Sequence, residues 1–436
     1  MAARLGVSPS YLNLIERNQR PITARVLMAL LSEFRFDPRT LRADETIGGV
    51  DGLARRLADP RFTDLGIDRD EIAAFLLDTP HVAAAFARLY DAQAGTAEQG
   101  DDPLDRSRRE IERWRNHFGD LDETAELIAD ELRLSRGDPG AAIADRLRER
   151  HHLSVRVLPA EVLPGTIRRL DLHARQVQLS ELLPLHGRNF QLAVQLSLLE
   201  QREAVAALAA PLRARDGIAA DHFERHLHAY FAAALLMPYR RLLRACQATG
   251  YDLPVLQRRF GVSFEQLAHR ITTLQRVGER GLPFFMARID RAGQFSKRFV
   301  GASGATFLEP GVSCPLWSIH RAFAEAGSLC LETISVDGSV PALWFTAAQA
   351  VDPGISLGEA RFVVVLGLEA RLAGELAHAR GRSLAPADAT ATGPGCRRCM
   401  RTGCRQRSLP PVGAIVHQDP SQKFAEPFPV APPVSG

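Results

Sequence analysis

The run GVSPSYLNLIERNQRP at residues 6–21 decides the N-terminal fold, because it has the pattern of the turn and second helix of a helix-turn-helix. Gly6 allows the left-handed turn, Ser8 is a favoured N-cap, and Pro9 suits the first helical position. The apolar residues of the run face a core and leave polar side chains at the helix N-terminal end. In this motif that end enters the major groove of DNA. A helical hairpin with a well-formed cap is the alternative.

The predicted DNA-contacting residues form two groups. Side chains at the start of the helix would meet base edges, and those where the chain leaves the helix would bind phosphates. They are Ser8, Ser10, Tyr11, Asn13, Arg17, Asn18, Gln19 and Arg20. One short recognition helix provides little affinity, so we expect a homodimer on a double-stranded DNA operator.

A second copy of the same pattern lies far down the chain. Residues 259–271 (RFGVSFEQLAHRI) repeat the spacing of residues 4–15 (RLGVSPSYLNLI). Phe264 and Glu265 stand at the start of the second helix, where an aromatic and an acidic side chain are poorly suited to phosphate. We therefore predict a structural hairpin here.

Length and composition bound the class of protein. The 436 residues are 46% hydrophobic and 24% charged, which is ordinary for a globular chain of two to four domains. No apolar run reaches the roughly 18–20 residues of a membrane helix, and the N-terminus lacks the apolar core of a secretory signal. We therefore expect a cytoplasmic protein without a membrane partner. The net charge of +3 does not decide whether nucleic acid binds.

Periodicity and composition predict a multidomain chain that is mainly α with α+β parts. The helix-turn-helix is expected to lack its first helix, the middle to be helical with a small sheet, and the C-terminal domain to be mixed α/β. The expected segments are a truncated helix-turn-helix at 1–45, a helical connector at 46–115, the middle domain at 116–277, the C-terminal sensing domain at 278–418 and a proline-rich disordered tail at 419–436.

The middle domain has two interpretations, a zinc-dependent peptidase, considered first, and a domain without catalytic residues, which a family resemblance below supports. His222 and His226 have the i, i+4 spacing that places two imidazoles on one helix face for zinc, and Glu224 lies between them. A metal-dependent peptidase using these three residues is one hypothesis. In a zincin site, however, the catalytic glutamate directly follows the first histidine, and here Phe223 occupies that position.

Three cysteines stand close together near the C-terminus. Cys396, Cys399 and Cys404 lie on a loop with five arginines, and Cys314 is the natural distant fourth. Clustered thiolates suit a metal centre, and nearby arginines favour the thiolate form. From spacing alone, three alternatives remain open. They are an iron–sulfur cluster, a zinc site, and three reduced thiols on a basic loop.

Several longer runs carry resemblances to known families. Residues 6–21 resemble Cro/XRE-type DNA-binding domains. The run HAYFAAALLMPY at 228–239 resembles the ImmA/IrrE metallopeptidase-like family, in which an upstream helix carries HExxH. Here that helix has Val194, Gln195 and Leu198 at those positions, which cannot hold zinc or act as a general base. We therefore expect no enzyme activity and a sensing or packing role for this domain.

The chain as a whole looks like the short-chain fatty-acyl regulator family of bacterial transcription factors. The runs at 230–239, 258–276, 281–299, 314–323 and 395–411 carry this likeness. It implies a regulator of carbon metabolism that responds to acyl-CoA, and some members are thought to carry an iron–sulfur cluster, here a [4Fe-4S] cluster on the four named cysteines. Leu368 stands where the family often has a cysteine.

An acyl-CoA effector needs cations for its phosphates and an apolar slot. The predicted effector-binding residues are Arg288, Arg291, Lys297 and Arg298, interleaved with phenylalanines. Regular alternation would place Phe295, Lys297 and Phe299 on one face of a strand. A solvated basic edge over a core face is the alternative. A third hypothesis for the whole chain is a head-truncated protein that binds a partner regulator without contacting DNA.

Overall fold

The computed structural model describes residues 49–57, 62, 65–96, 102–135, 137–309, 311–325, 327–336, 342–351, 361–414, 416 and 421–430. The eight predicted DNA-contacting residues lie outside these ranges. The chain divides into two compact units between Asp102 and Pro103, and each is described by itself.

The described part of the first unit contains three helices, α1 (Gly49–Leu57), α2 (Arg69–Asp78) and α3 (Pro80–Thr96). Asp68 begins α2 because its carboxylate accepts the backbone N–H of Glu71 at 2.8 Å. Apolar side chains from all three helices form a small core, made of Leu53, Ile72, Ala83, Ala84 and Ala87. These three helices lie within the segment 46–115 that is expected to be a helical connector.

In the first part of the second unit, the described residues form nine helices. They are α4 (Pro103–Arg113), α5 (Gly119–Glu131), α6 (Pro139–His151), α7 (Leu185–Glu200), α8 (Arg202–Arg213), α9 (Gly217–Leu236), α10 (Tyr239–Thr249), α11 (Leu253–Phe260) and α12 (Phe264–Thr272). Helix α9 lies at the centre and is buried along most of its length from Ala219 to Leu236. From Tyr230 to Leu236 the helix has apolar residues on all sides, which explains this position, since a helical segment that is hydrophobic all round belongs in a core.

A small sheet accompanies these helices. Strands β1 (Ser154–Leu158), β2 (Arg168–Asp171) and β3 (Gln176–Ser180) run in the order β1-β3-β2. β1 pairs with β3 in parallel and β2 with β3 antiparallel. Val177 and Leu179 of β3 point into the helical core. The helical middle with a small sheet is thus as predicted.

A larger sheet forms the rest of the second unit. It contains β4 (Phe285–Ile289), β5 (Phe295–Phe299), β6 (Cys330–Val336), β7 (Ala342–Val351), β8 (Phe362–Glu369) and β9 (Thr390–Thr392), in the order β5-β4-β8-β7-β6-β9. All neighbours are antiparallel except β6 and β9. Alternation along β8 sends Val364, Leu366 and Leu368 toward α10–α12, while Val363 and Val365 pack against short 3₁₀ segments on the other face.

The repeated motif forms the predicted structural hairpin between α11 and α12. Gly261 joins the helices with φ +62°, a left-handed conformation that favours glycine. Ser263 then caps α12 in a reciprocal pair of hydrogen bonds with Gln266. Leu267 and Ile271 are fully buried against the larger sheet, so this second copy is part of the core.

Two expected boundaries require correction. Helix α4 belongs to the second unit and not to the connector 46–115, because its Ile111 is buried in the helical core and its Arg106 binds Asp216 at 2.5 Å. The tail from 419 is not disordered throughout. Residues 421–430 fold back on the cysteine loop, and Val430 pairs with Val416 and is buried.

Candidate functional site

The helix that would carry a peptidase motif contains no zinc ligand at the three decisive positions. On α7, Val194 packs against the helical core and Gln195 is buried, while Leu198 is exposed. Ser197, which precedes Leu198, is fully buried, and its hydroxyl contacts His228 Nδ1 at 2.8 Å. Valine, glutamine and leucine at these positions therefore provide neither a zinc ligand nor a general base.

The residues of the peptidase hypothesis are not brought together for catalysis. His226 Nε2 donates to the side-chain oxygen of Asn116 at 3.0 Å, while Glu224 pairs with Arg213 at 2.8 Å. No group of three His, Cys, Asp or Glu side chains in the described ranges is arranged to hold a metal ion. The geometry therefore does not favour hydrolysis.

His226 instead belongs to a packed imidazole cluster. Its ring lies 5.4 Å from that of His269 and 5.3 Å from that of Phe299, measured between centroids. The amide of Asn116 links the two histidines and also donates to Thr272 at 3.0 Å. Burial lowers the pKa of His226 to about 3 and that of His269 well below its ordinary value. Both imidazoles are therefore neutral near pH 7.

The predicted effector residues lie on the hairpin of β4 and β5, where most have internal partners. Arg288 and Lys297 face each other across the strands and both contact Glu265 Oε1, at 3.1 and 2.6 Å. Burial acts to raise the pKa of Glu265, but the two cations outweigh it and the pKa falls. Arg298 instead contacts Asp105 at 3.3 Å, and Arg291 is exposed. The structure thus joins Arg288 with Lys297 and separates Arg298 from them.

A β-bulge changes the faces expected from simple alternation. The register shifts between Arg288 and Ile289, so Ile289 pairs with Phe295 while Arg288 pairs with Lys297. Ser296 is the extra residue, and the bulge turns Phe295 into the core beside Trp317. Phe299 lies on the helix-facing side. The expectation that Phe295, Lys297 and Phe299 share one face is therefore wrong.

Two of the four cysteines, Cys314 and Cys399, adjoin the same glycine. Strand β9 ends at Thr392, and a Cβ on the following Gly393 would lie 2.5 Å from Cys399 Sγ, so only glycine permits this approach. Burial raises the pKa of the Cys314 thiol, as do the nearby Cys396 and Cys404, while the backbone N–H groups of Gly393 and Leu316 bind its sulfur and oppose the rise.

The sulfurs of this region are donors that zinc ions and iron–sulfur clusters both take. Three of the six cysteines lie on one loop and Cys314 adjoins it, and all six are free thiols. Within the described ranges these sulfurs do not converge on one point, as a mononuclear zinc site requires. Four cysteine thiolates are the ligands of a [4Fe-4S] cluster, and this loop together with Cys314 contains that number.

Comparison with known proteins agrees with this architecture. The family model for the short-chain fatty acyl coenzyme A regulator C-terminal domain matches residues 273–428, that for the IrrE N-terminal-like domain matches 148–272, and a helix-turn-helix model matches 1–41. The HTH-type transcriptional regulator RamB of Mycobacterium tuberculosis is 30% identical, over 98% of this chain and 94% of its own length.

Further relatives have similar coverage. The propionyl-CoA carboxylase regulator of Cereibacter sphaeroides is 33% identical over 98% of this chain and 94% of its own length. The HTH-type transcriptional regulator PrpR of Mycobacterium tuberculosis is 31% identical over 98% and 91%. A solved Mycobacterium tuberculosis transcriptional regulator superposes with a TM-score of 0.67 at 31% identity, over 75% of this chain and 99% of that one.

The family matches and the relatives, together with the described fold, define a helix-turn-helix transcriptional regulator with a peptidase-like middle. The chain belongs to the short-chain fatty acyl coenzyme A regulator family. The resemblance and the multidomain fold class drawn from the sequence are confirmed. No helix in the described ranges is long and apolar enough to cross a membrane.

Proposed function

We propose that this chain is a DNA-binding transcriptional regulator of short-chain fatty acid metabolism that responds to acyl-CoA. One observation carries the proposal. The same chain contains a helix-turn-helix match at 1–41 and an acyl coenzyme A regulator match at 273–428. One relative is named for propionyl-CoA carboxylase, which supports a short acyl chain in the effector. Operator binding by a homodimer is part of the proposal.

The basic hairpin supports an acyl-CoA site. Arg288 and Lys297 share Glu265, and an anionic ligand that displaced this carboxylate would meet two cations at once. Titration calorimetry of the full chain with propionyl-CoA tests the site. Lys297→Ala is expected to weaken binding, and Glu265→Gln, which removes the competing carboxylate, is expected to strengthen it. Unchanged affinity in both variants would place the effector elsewhere.

The cysteines support a [4Fe-4S] cluster held by Cys314, Cys396, Cys399 and Cys404. Bound there, a cluster would give the regulator a redox input, and the loop arginines would offset its negative charge. Anaerobic purification is expected to give brown protein with iron in stoichiometric amounts, lost in Cys399→Ser. The matched control is Cys246→Ala, because Cys246 is buried in α10. Colourless, iron-free anaerobic protein would contradict the proposal.

A further inference from the structure

The C-terminal tail places one carboxylate on the cysteine loop. Glu426 accepts the backbone N–H of Gly403 at 3.0 Å through Oε2 and that of Cys404 at 3.1 Å through Oε1. Two consecutive N–H groups point at the same group because Gly403 has φ +73°, a left-handed conformation that favours glycine. Consecutive N–H groups in this arrangement form a concave anion site.

A buried arginine completes the site. The side chain of Arg407 is 1% exposed, and its terminal nitrogens donate to the carbonyls of Cys399 and Arg401. Its Nε lies 3.7 Å from Glu426 Oε1 and makes no hydrogen bond among the described residues. A guanidinium so removed from water needs a counter-charge. Glu426 is near enough to provide one, yet it leaves the Nε donor unsatisfied.

The cysteine loop carries more positive charge than one carboxylate neutralises. Residues 396–407 contain five arginines and no acidic residue. A carboxylate has two oxygens, whereas a phosphate group offers three or more and a higher charge. Phosphate would satisfy both N–H groups and the Arg407 Nε donor together.

We propose that the turn of Gly403 and Cys404 with Arg407 is a binding site for a phosphate-class oxyanion, and that Glu426 of the tail occupies it as an intramolecular competitor. Binding of the anion releases the tail from the cysteine loop. The site lies on different residues from the hairpin of β4 and β5, so it does not depend on the acyl-CoA proposal.

The two lysines of the chain provide a direct readout of tail release. Lys297 lies in β5 and is ion-paired with Glu265 of α12. Lys423 lies in the tail, three residues before Glu426. A lysine-specific endoproteinase therefore reports tail position by its rate of cleavage after Lys423. We expect inorganic phosphate to accelerate this cleavage in the anaerobically purified full chain, in a saturable way that sodium chloride at equal ionic strength does not reproduce.

Two variants separate competition from a general charge effect. Glu426→Gln is expected to be cleaved rapidly without phosphate and to bind phosphate about tenfold more tightly than the wild type. Glu309→Gln is the matched control, because Glu309 contacts Arg398 of the same loop at 3.9 Å. It is expected to behave as the wild type.

Coenzyme A and dephospho-coenzyme A identify the source of the anion. An effect of coenzyme A alone indicates its 3′-phosphate, an effect of both indicates the diphosphate, and an effect of inorganic phosphate alone indicates the free ion. Each of these supports the site. A cleavage rate in the wild type that none of the three anions changes would overturn the proposal, whether or not Glu426→Gln folds.

Discussion

Asp122 of α5 and Arg270 of α12 form an ion pair of 2.5 Å in which neither side chain retains any exposed surface. Tyr230 of α9 donates to the same carboxylate at 2.8 Å, and Arg270 also donates to the carbonyl of Met237. The pair thus ties three helices to one another. Burial acts to raise the pKa of Asp122, but Arg270 and the hydrogen bonds outweigh it and hold the pKa at about 2.

Breaking this pair is expected to destabilise the second unit strongly. Asp122→Asn leaves Arg270 buried without its counter-charge, and loss of one partner of a buried pair costs about 3–5 kcal/mol. Urea unfolding followed by circular dichroism measures the change. The matched control is Asp145→Asn, whose partner Arg148 is exposed, and its loss should cost less than about 1 kcal/mol. Equal losses of unfolding free energy in the two variants would show that burial does not determine how much an ion pair contributes to stability.

The imidazole cluster predicts acid sensitivity. His226 has an ordinary pKa of 6.5 when unfolded and about 3 when folded, so the unfolded chain binds the extra proton first. Its contribution to stability is complete above pH 6.5 and is lost as the pH falls from 6.5 toward 3. His226→Gln keeps a donor for Asn116 and should reduce the slope of unfolding free energy against pH by up to about 1.4 kcal/mol per pH unit.

The control for the pH experiment is His173→Gln, because His173 is exposed. It removes one imidazole from the chain without disturbing the packed cluster. A slope in His226→Gln equal to that of the wild type would mean that His226 does not titrate on unfolding.

The position of Leu368 predicts that a cysteine there cannot join a cluster. Leu368 lies on the face of the larger sheet that packs against α10–α12, whereas Trp317, three residues after Cys314, packs on the opposite face. Leu368→Cys should therefore leave the iron content of anaerobically purified protein unchanged. Higher iron content, or rescue of Cys399→Ser by Leu368→Cys, would contradict this placement.

The helix-turn-helix pattern at residues 6–21 predicts that some of its side chains contact base edges and others contact phosphates. Tyr11→Ala and Asn13→Ala should reduce sequence preference by about 1–3 kcal/mol, whereas Arg17→Ala should weaken binding to all DNA and lower its salt dependence. Fluorescence anisotropy with specific and random duplexes distinguishes the two effects. Equal losses on both duplexes for all three variants would argue against the assignment.

Local patterns made much of the fold predictable. The Gly261 turn and the Ser263 cap could be foreseen because their signals lie within a few residues, and the same run occurs near the N-terminus. The loss of zinc ligands on α7 was also evident, since valine and leucine do not bind metal. These features depend on residue type and short spacing alone.

Features that depend on distant partners could not be foreseen. The bulge at Ser296 has no local marker, and it moved Phe295 to the opposite face of the sheet. Asp122 and Arg270 are 148 residues apart, and neither is unusual in its own segment. Glu426 likewise lies in a proline-rich stretch whose composition indicates disorder, while its partners are in the cysteine loop.

The most direct test of the account is competition binding of the full-length chain to fragments of its source genome, measured against bulk random DNA with and without propionyl-CoA. The account predicts that some fragments are retained well above competitor and that propionyl-CoA shifts their affinity. Retention no better than random DNA under both conditions would contradict it.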